Sequence, residues 1–361
     1  MSVETPQMWK SQAAAKLRFF EDWLLGAKRA TYGLAMVRIL FGLTALGFLA
    51  ANWLNRHYLW GNAGRWIEPV DDNAEFSWPF TFFYGGSGRL ELELKLAVVA
   101  ALLVLLVVGW RARIVAPVVL VLWTSLLEAQ PIVGDQSDNI FRILLFYLCF
   151  ADISRRWSLD ARRRAKQEAG EWHSPLRLRV RPEVRENFGM LAIVLNNLAV
   201  VAVAVQLCLI YVASGLYKVQ GELWQDGTGV YYPMQMGHYA PWPWLNDLLS
   251  ANALGVMVAT YFSVFIQIFF PLLLLRRLTR VIALLGIAAM HLGIGVAMGL
   301  PFFSLVVISA DMIFIRDSTY RGIEQWARQW WQTQRDRRKL RALAEAGEAD
   351  EPDRVMATQA R

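Results

Sequence analysis

The stretch Met190–Gly227, MLAIVLNNLAVVAVAVQLCLIYVASGLYKVQGELWQDG, decides the class of this chain. From Met190 to Val212 it carries no charged residue, and a helix of that length crosses the roughly 30 Å hydrocarbon core of a bilayer. Tyr211, Ser214 and Lys218 follow at i, i+3 and i+7, which places them on one helical face if the helix continues outward. Beyond Lys218 come Trp224, Asp226 and a turn at Gly227. The spacing predicts that Lys218 sits at the lip of the helix, where hydrocarbon meets water. A lysine there has two readings: it snorkels to the interface, or it serves as a base.

The rest of the chain repeats the apolar theme. Of 361 residues, 56% are hydrophobic and 16 are tryptophan, and the apolar residues gather into runs. That composition predicts an all-α, polytopic membrane bundle rather than a water-soluble domain. Eight segments read as transmembrane helices: 33–54, 92–110, 114–130, 139–153, 189–213, 252–275, 281–299 and 301–315. If all eight cross, 30 of the 37 Lys and Arg fall in the two ends and alternate loops, and only Arg56, Arg65, Arg89 and Lys218 fall in the others. The bias places both termini in the cytoplasm and the working face outward, in a multi-pass protein of the cell's inner (plasma) membrane. The net charge of +7 follows from this orientation signal, so a nucleic-acid partner is not expected. The first apolar run, from Tyr32, is too long for a cleavable signal and reads as a permanent anchor.

The flanks read as peripheral to the 31–316 transmembrane domain. Residues 1–30 form an amphipathic interfacial segment, with Leu17, Phe20 and Leu24 at helical spacing among Lys10, Lys16 and Arg18. Residues 317–344 repeat it: Ile323, Trp326 and Trp330 line one side of a basic helix suited to anionic lipid or to packing on the bundle. Residues 345–361 are acidic and rich in small residues, a disordered tail by composition.

Several chemistries drop out. Gly85-Gly-Ser-Gly88 precedes Arg-Leu rather than Lys-Ser/Thr and is a turn, not a phosphate loop. Gly295 and Gly299 have a helix-packing spacing. Four histidines without a His-x-x-x-His pair predict no metal site. Polar groups within the spans remain. Asn196, Asn197, Gln206 and Gln267 suit interhelical hydrogen bonds, His291 is either an interior histidine or a site residue, and Arg38, Arg142 and Asp152, near span ends, suit snorkelling. The outer loops are rich in aromatics, among them Trp60, Trp66, Trp78, Trp224, Tyr231, Trp242 and Trp244. They form an interfacial belt or a vestibule admitting a flat, lipid-soluble molecule such as a quinone beside Lys218.

Three blocks carry a resemblance: Tyr211–Gly227 with Lys218 and Trp224, Asp138–Phe146 continuing to Arg156-Trp-Ser-Leu-Asp160, and Met290–Leu300 with His291. Over about residues 30 to 316 they resemble the HTTM domain, shared by vitamin K-dependent gamma-carboxylases and many bacterial membrane proteins. The resemblance implies an enzyme, or enzyme-like subunit, that binds a reduced, vitamin K-like quinone and uses Lys218 as base. Tyr211, Ser214, Trp224, Asp226 and His291 would shape the site. Where the carboxylases have a histidine at the start of the fourth span this chain reads Gln136-Ser137-Asp138, so the carboxylation half of that mechanism lacks its residue. Two other classes stand beside it: a non-catalytic partner in maturation or assembly of a secreted peptide or envelope component, and a small-molecule or lipid transporter.

Overall fold

The computed structural model describes residues 15, 18–61, 77–84, 88–130, 133–171 and 182–359. The expectations for Lys10, Lys16, Leu17, Arg65, Trp66 and most of the Gly85–Gly88 turn lie outside them. The described residues are helical and contain no strand. The longer helices among the described residues are α1 (Thr31–Ala51), α2 (Arg89–Val108), α3 (Ala112–Glu128), α4 (Gln136–Cys149), α5 (Leu159–Glu168), α6 (Pro182–Val219), α7 (Ala253–Ile268), α8 (Arg277–Ala297), α9 (Pro301–Asp311) and α10 (Asp317–Gln359). A helix stands at each of the eight apolar runs. Three, α1, α8 and the Glu186–Val219 part of α6, are long and apolar enough to cross a membrane, and α7 joins them if counted with the Pro243–Ser250 helix, bent 93° from it. The others fall short for local reasons. α2 opens with Arg89, Glu91, Glu93 and Lys95, whereas α3, α4 and α9 have only 17, 14 and 11 residues.

Local sequence sets the boundaries. Asp135 and Asp138 form a reciprocal capping box at the start of α4, satisfying backbone donors that have no partner within the helix. α7 begins at Asn252, whose side chain accepts from Leu254 N and Gly255 N. It stops at Phe269 because Pro271 has no N–H to continue the ladder, and a short helix Phe270–Leu273 follows. α8 and α9 are joined by Gly299, at φ 67°, and Pro301 at the first turn of α9. A left-handed residue closes one helix, and a proline with preset φ opens the next.

Within residues 1–314, α1 packs on α2 and α9, α3 on α2 and α4, α4 on α6 and α9, α6 on α7, and α7 and α9 each on α8. Polarity is distributed inside out. Arg38, Asn196, Asn197, Thr260, Gln267, His291 and Asp311 are buried, while Leu198, Val201, Val205 and Leu209 on α6 and Val281, Ile282 and Leu285 on α8 face outward. A bundle that solvates its outside with apolar side chains and hides its polar ones is built for lipid. Residues 315–361 form a separate unit, in which α10 exposes Ile323, Trp326 and Trp330 at helical spacing. The helix continues through the acidic Glu345–Gln359 stretch, for which composition alone suggests disorder.

Candidate functional site

α6 and α7 approach so closely at Gly215 that a Cβ there would lie 2.6 Å from Ile268 Cγ1 and 3.2 Å from its backbone nitrogen. This contact brings Lys218 to Gln267. Lys218 Nζ donates to Gln267 Oε1 at 2.6 Å and to Ser214 Oγ at 2.9 Å, one turn back along its own helix. The ammonium turns back along α6 from the helix end, and its partner Gln267 lies 14 residues into α7, within the apolar run 252–275.

Trp224 covers the lysine, its ring centroid 5.3 Å from Nζ. The ring lies against Gly229, where any Cβ would fall 2.5 Å from it. The turn that carries it is tied to α7 by Tyr261 Oη donating to Gln225 O at 2.7 Å and by Val230 N donating to Thr260 Oγ1 at 3.2 Å. Gly227, at φ 76°, has Met257 and Tyr261 against it. Among the described residues no carboxylate pairs with Lys218; its partners are an amide, a hydroxyl and an aromatic face.

Two turns deeper on α6, Tyr211 is fully buried and donates its hydroxyl to Asp311 Oδ2 at 2.6 Å. Its ring meets Phe270 at 4.6 Å and His291 at 6.2 Å between centroids, and His291 in turn meets Phe303 at 5.4 Å. Both nitrogens of His291, Oγ of Ser304 and Oδ1 of Asp311 are buried without a hydrogen-bond partner among the described residues. Of the residues singled out from the sequence, Lys218, Ser214 and Trp224 thus form one group, with Tyr211 and His291 in an adjoining one. Asp226 stands apart, exposed at the end of the Glu222–Gln225 helix. Sequence reading missed Asp311, which closes a run of apolar residues at the foot of α9, and gave Gln267 only a packing role. An aspartate ending so apolar a helix was the available signal.

The other polar expectations resolve differently. Arg38 does not snorkel. It is 1% exposed and donates to the carbonyls of Leu106, Val107, Ile153 and Trp157. Asp152 is likewise buried, paired with Lys28 at 2.6 Å. Arg142, half-buried, pairs with Glu128 and donates to Asn139. Asn197 donates to the carbonyls of Trp23, Leu24 and Ala27, and Asn196 accepts from Asp152 N. These two amides hold the backbone of residues 23–29, ahead of α1, and of Asp152, beyond α4. Gln136-Ser137-Asp138 caps α4 beside a cavity of about 140 Å3 walled by Phe48, Trp123, Phe141 and Phe302.

The chain is similar to the uncharacterized protein YitO of Bacillus subtilis (strain 168), 24% identical over 247 residues that cover 66% of this chain and 72% of the relative. No family model and no solved structure matches it.

Proposed function

We propose that this chain is an HTTM-like integral membrane protein whose Lys218 site receives a lipid-soluble quinol, with Lys218 as the base. In this reading α1–α4 and α6–α9 all cross the inner membrane, the short ones within a locally thinned or protein-filled layer. Both termini are cytoplasmic, and the loops carrying few Lys and Arg face outward. One observation carries the functional part. The Lys218 ammonium turns back along α6 to Ser214 and to Gln267, a residue inside an apolar run, where an interfacial lysine would turn toward water. Holding a cation there is costly, and such residues mark functional paths.

The donor set fits a reduced quinone of the vitamin K type. Such a molecule would supply an acidic hydroxyl beside an electron-rich ring. The free amine of Lys218 would accept the hydroxyl proton at Nζ, and Gln267 Oε1 and Ser214 Oγ would hold the resulting ammonium. Trp224 offers a flat face beside that nitrogen and shields it from water. Tyr211, deeper on the same face of α6, and His291 on α8 would line the far end of the site, with Asp226 outside it.

Arginine tests this reading because it keeps the charge and stem but does not release its proton. Purified protein in nanodiscs would be titrated with a short-chain naphthoquinol while the absorbance change that accompanies loss of a hydroxyl proton is followed. Wild type should produce the change. Lys218→Arg and Lys218→Ala should insert and fold but not produce it. An arginine variant that behaves as wild type would remove the base and favour the reading as a non-catalytic partner in assembly of a secreted or envelope component.

A further inference from the structure

At the end of the bundle where α2 turns into α3 and α4 into α5, six cationic side chains, Lys28, Arg111, Arg113, Arg155, Arg163 and Arg164, line one cavity of about 450 Å3. Among the described residues only two carboxylates share it, Asp152 and Asp160, and both are engaged. Asp152 Oδ2 pairs with Lys28 at 2.6 Å and lies 3.5 Å from Arg113. Asp160 accepts from the backbone nitrogens of Arg111 and Ala112 at the start of α3, with Arg163 at 3.9 Å. Six cations against two anions leave a concave surface with a formal excess of four positive charges, which draws a polyanion more strongly than scattered surface lysines do. Arginine, five of the six, matches phosphate oxygens with paired N–H donors.

The cavity opens onto an apolar wall. Ile114, one of its lining residues, is 62% exposed, and Val118, one turn further along α3, is exposed on the same side. Trp110, partly exposed, has the guanidinium of the lining residue Arg111 5.2 Å from its ring centroid. A tryptophan stacked with an arginine at a helix end marks the headgroup layer of a membrane, and an apolar stripe leading from it suits an acyl chain.

We propose that this cavity is a specific site for an anionic phospholipid, its phosphate groups held by Arg111, Arg113 and Arg155 and an acyl chain laid along Ile114 and Val118. The proposal needs α3 at the membrane but not the quinol chemistry at Lys218, so either can fail alone. The test uses the full-length protein, delipidated in a neutral detergent and titrated with cardiolipin, with a zwitterionic phosphatidylcholine and with inorganic phosphate, bound lipid being counted by native mass spectrometry. Wild type should take up cardiolipin with one copy bound ahead of the rest, at least about tenfold more tightly than phosphatidylcholine. Arg111→Gln/Arg155→Gln should lose that preference by about tenfold. Arg276→Gln/Arg277→Gln, which removes two exposed cations at the start of α8, should leave it unchanged. Ile114→Ser, a neutral change at an exposed position, should weaken cardiolipin while leaving phosphate binding alone. Equal losses in the two arginine pairs would reduce the effect to general surface charge and overturn the proposal. Phosphate binding as tight as that of the lipid, indifferent to Ile114→Ser, would overturn the lipid assignment in favour of a soluble phosphate compound.

Discussion

Two groups of buried polar residues differ in how they are satisfied. At the end of the bundle around Arg38, a guanidinium gathers four backbone carbonyls, two of them the last of α2, while Asp160 caps α3 and Asn197 holds the turn before α1. Gly109, at φ 68°, leaves room for this packing, since a Cβ there would lie 2.4 Å from Ser158 Cβ and 2.8 Å from Arg38 Nη1. Between α6, α8 and α9 both nitrogens of His291, Oγ of Ser304 and Oδ1 of Asp311 go unpartnered among the described residues, and Lys218 has neutral partners only. Hydrogen-bonding capacity that is used up fastens loops to helix ends. Capacity left over inside an apolar bundle costs about 1–3 kcal/mol per group, and such groups are expected where a ligand or a proton is handled.

The largest effect should come from the satisfied group. Arg38→Met keeps the apolar stem but leaves several buried carbonyls without a donor, and should lower unfolding stability by at least about 3 kcal/mol. Chemical denaturation in detergent would measure it, and a loss under about 1 kcal/mol would erase the distinction between the groups.

A smaller, pH-gated effect should come from Asp152, three residues beyond the end of α4. Burial pushes its carboxyl up, but Lys28, Arg113 and Arg164 outweigh burial and hold it below the usual carboxylate range. A depressed folded value adds stability that is fully present above the unfolded value of about 3.9 and is lost as pH falls through the folded one. Melting temperature should therefore fall with acid below about pH 4 more steeply in wild type than in Asp152→Asn. Parallel curves would show that the carboxylate charge is not what fastens this turn.

The smallest effect is expected at His291. With neither ring nitrogen bonded, His291→Leu removes no hydrogen bond and fills similar space, so stability should stay within about 1 kcal/mol of wild type or rise. Naphthoquinol retention should drop. A variant that unfolds as readily as Arg38→Met would make His291 a packing residue.

The sequence by itself determined where the apolar helices stand, their approximate ends, and the inside-out character of the bundle. These follow from runs of apolar residues, from Asn252 and Asp135 as caps, and from Gly299 and Pro301 as breaks, all of which act within a few residues. It also singled out Tyr211, Ser214, Lys218, Trp224 and His291, because polar groups stand out in apolar surroundings. Only the tertiary structure decided their partners. Lys218 stands at the end of α6 by counting residues, and it is the close approach of α7 at Gly215 that sets it beside Gln267. Arg38 and Asp152 read as snorkelling because their partners, carbonyls of Ile153 and Trp157 and the amine of Lys28, lie more than 110 residues away in the chain. Hydrogen-bond satisfaction depends on which groups the fold brings within about 3 Å of one another, and no periodicity along a helix encodes that.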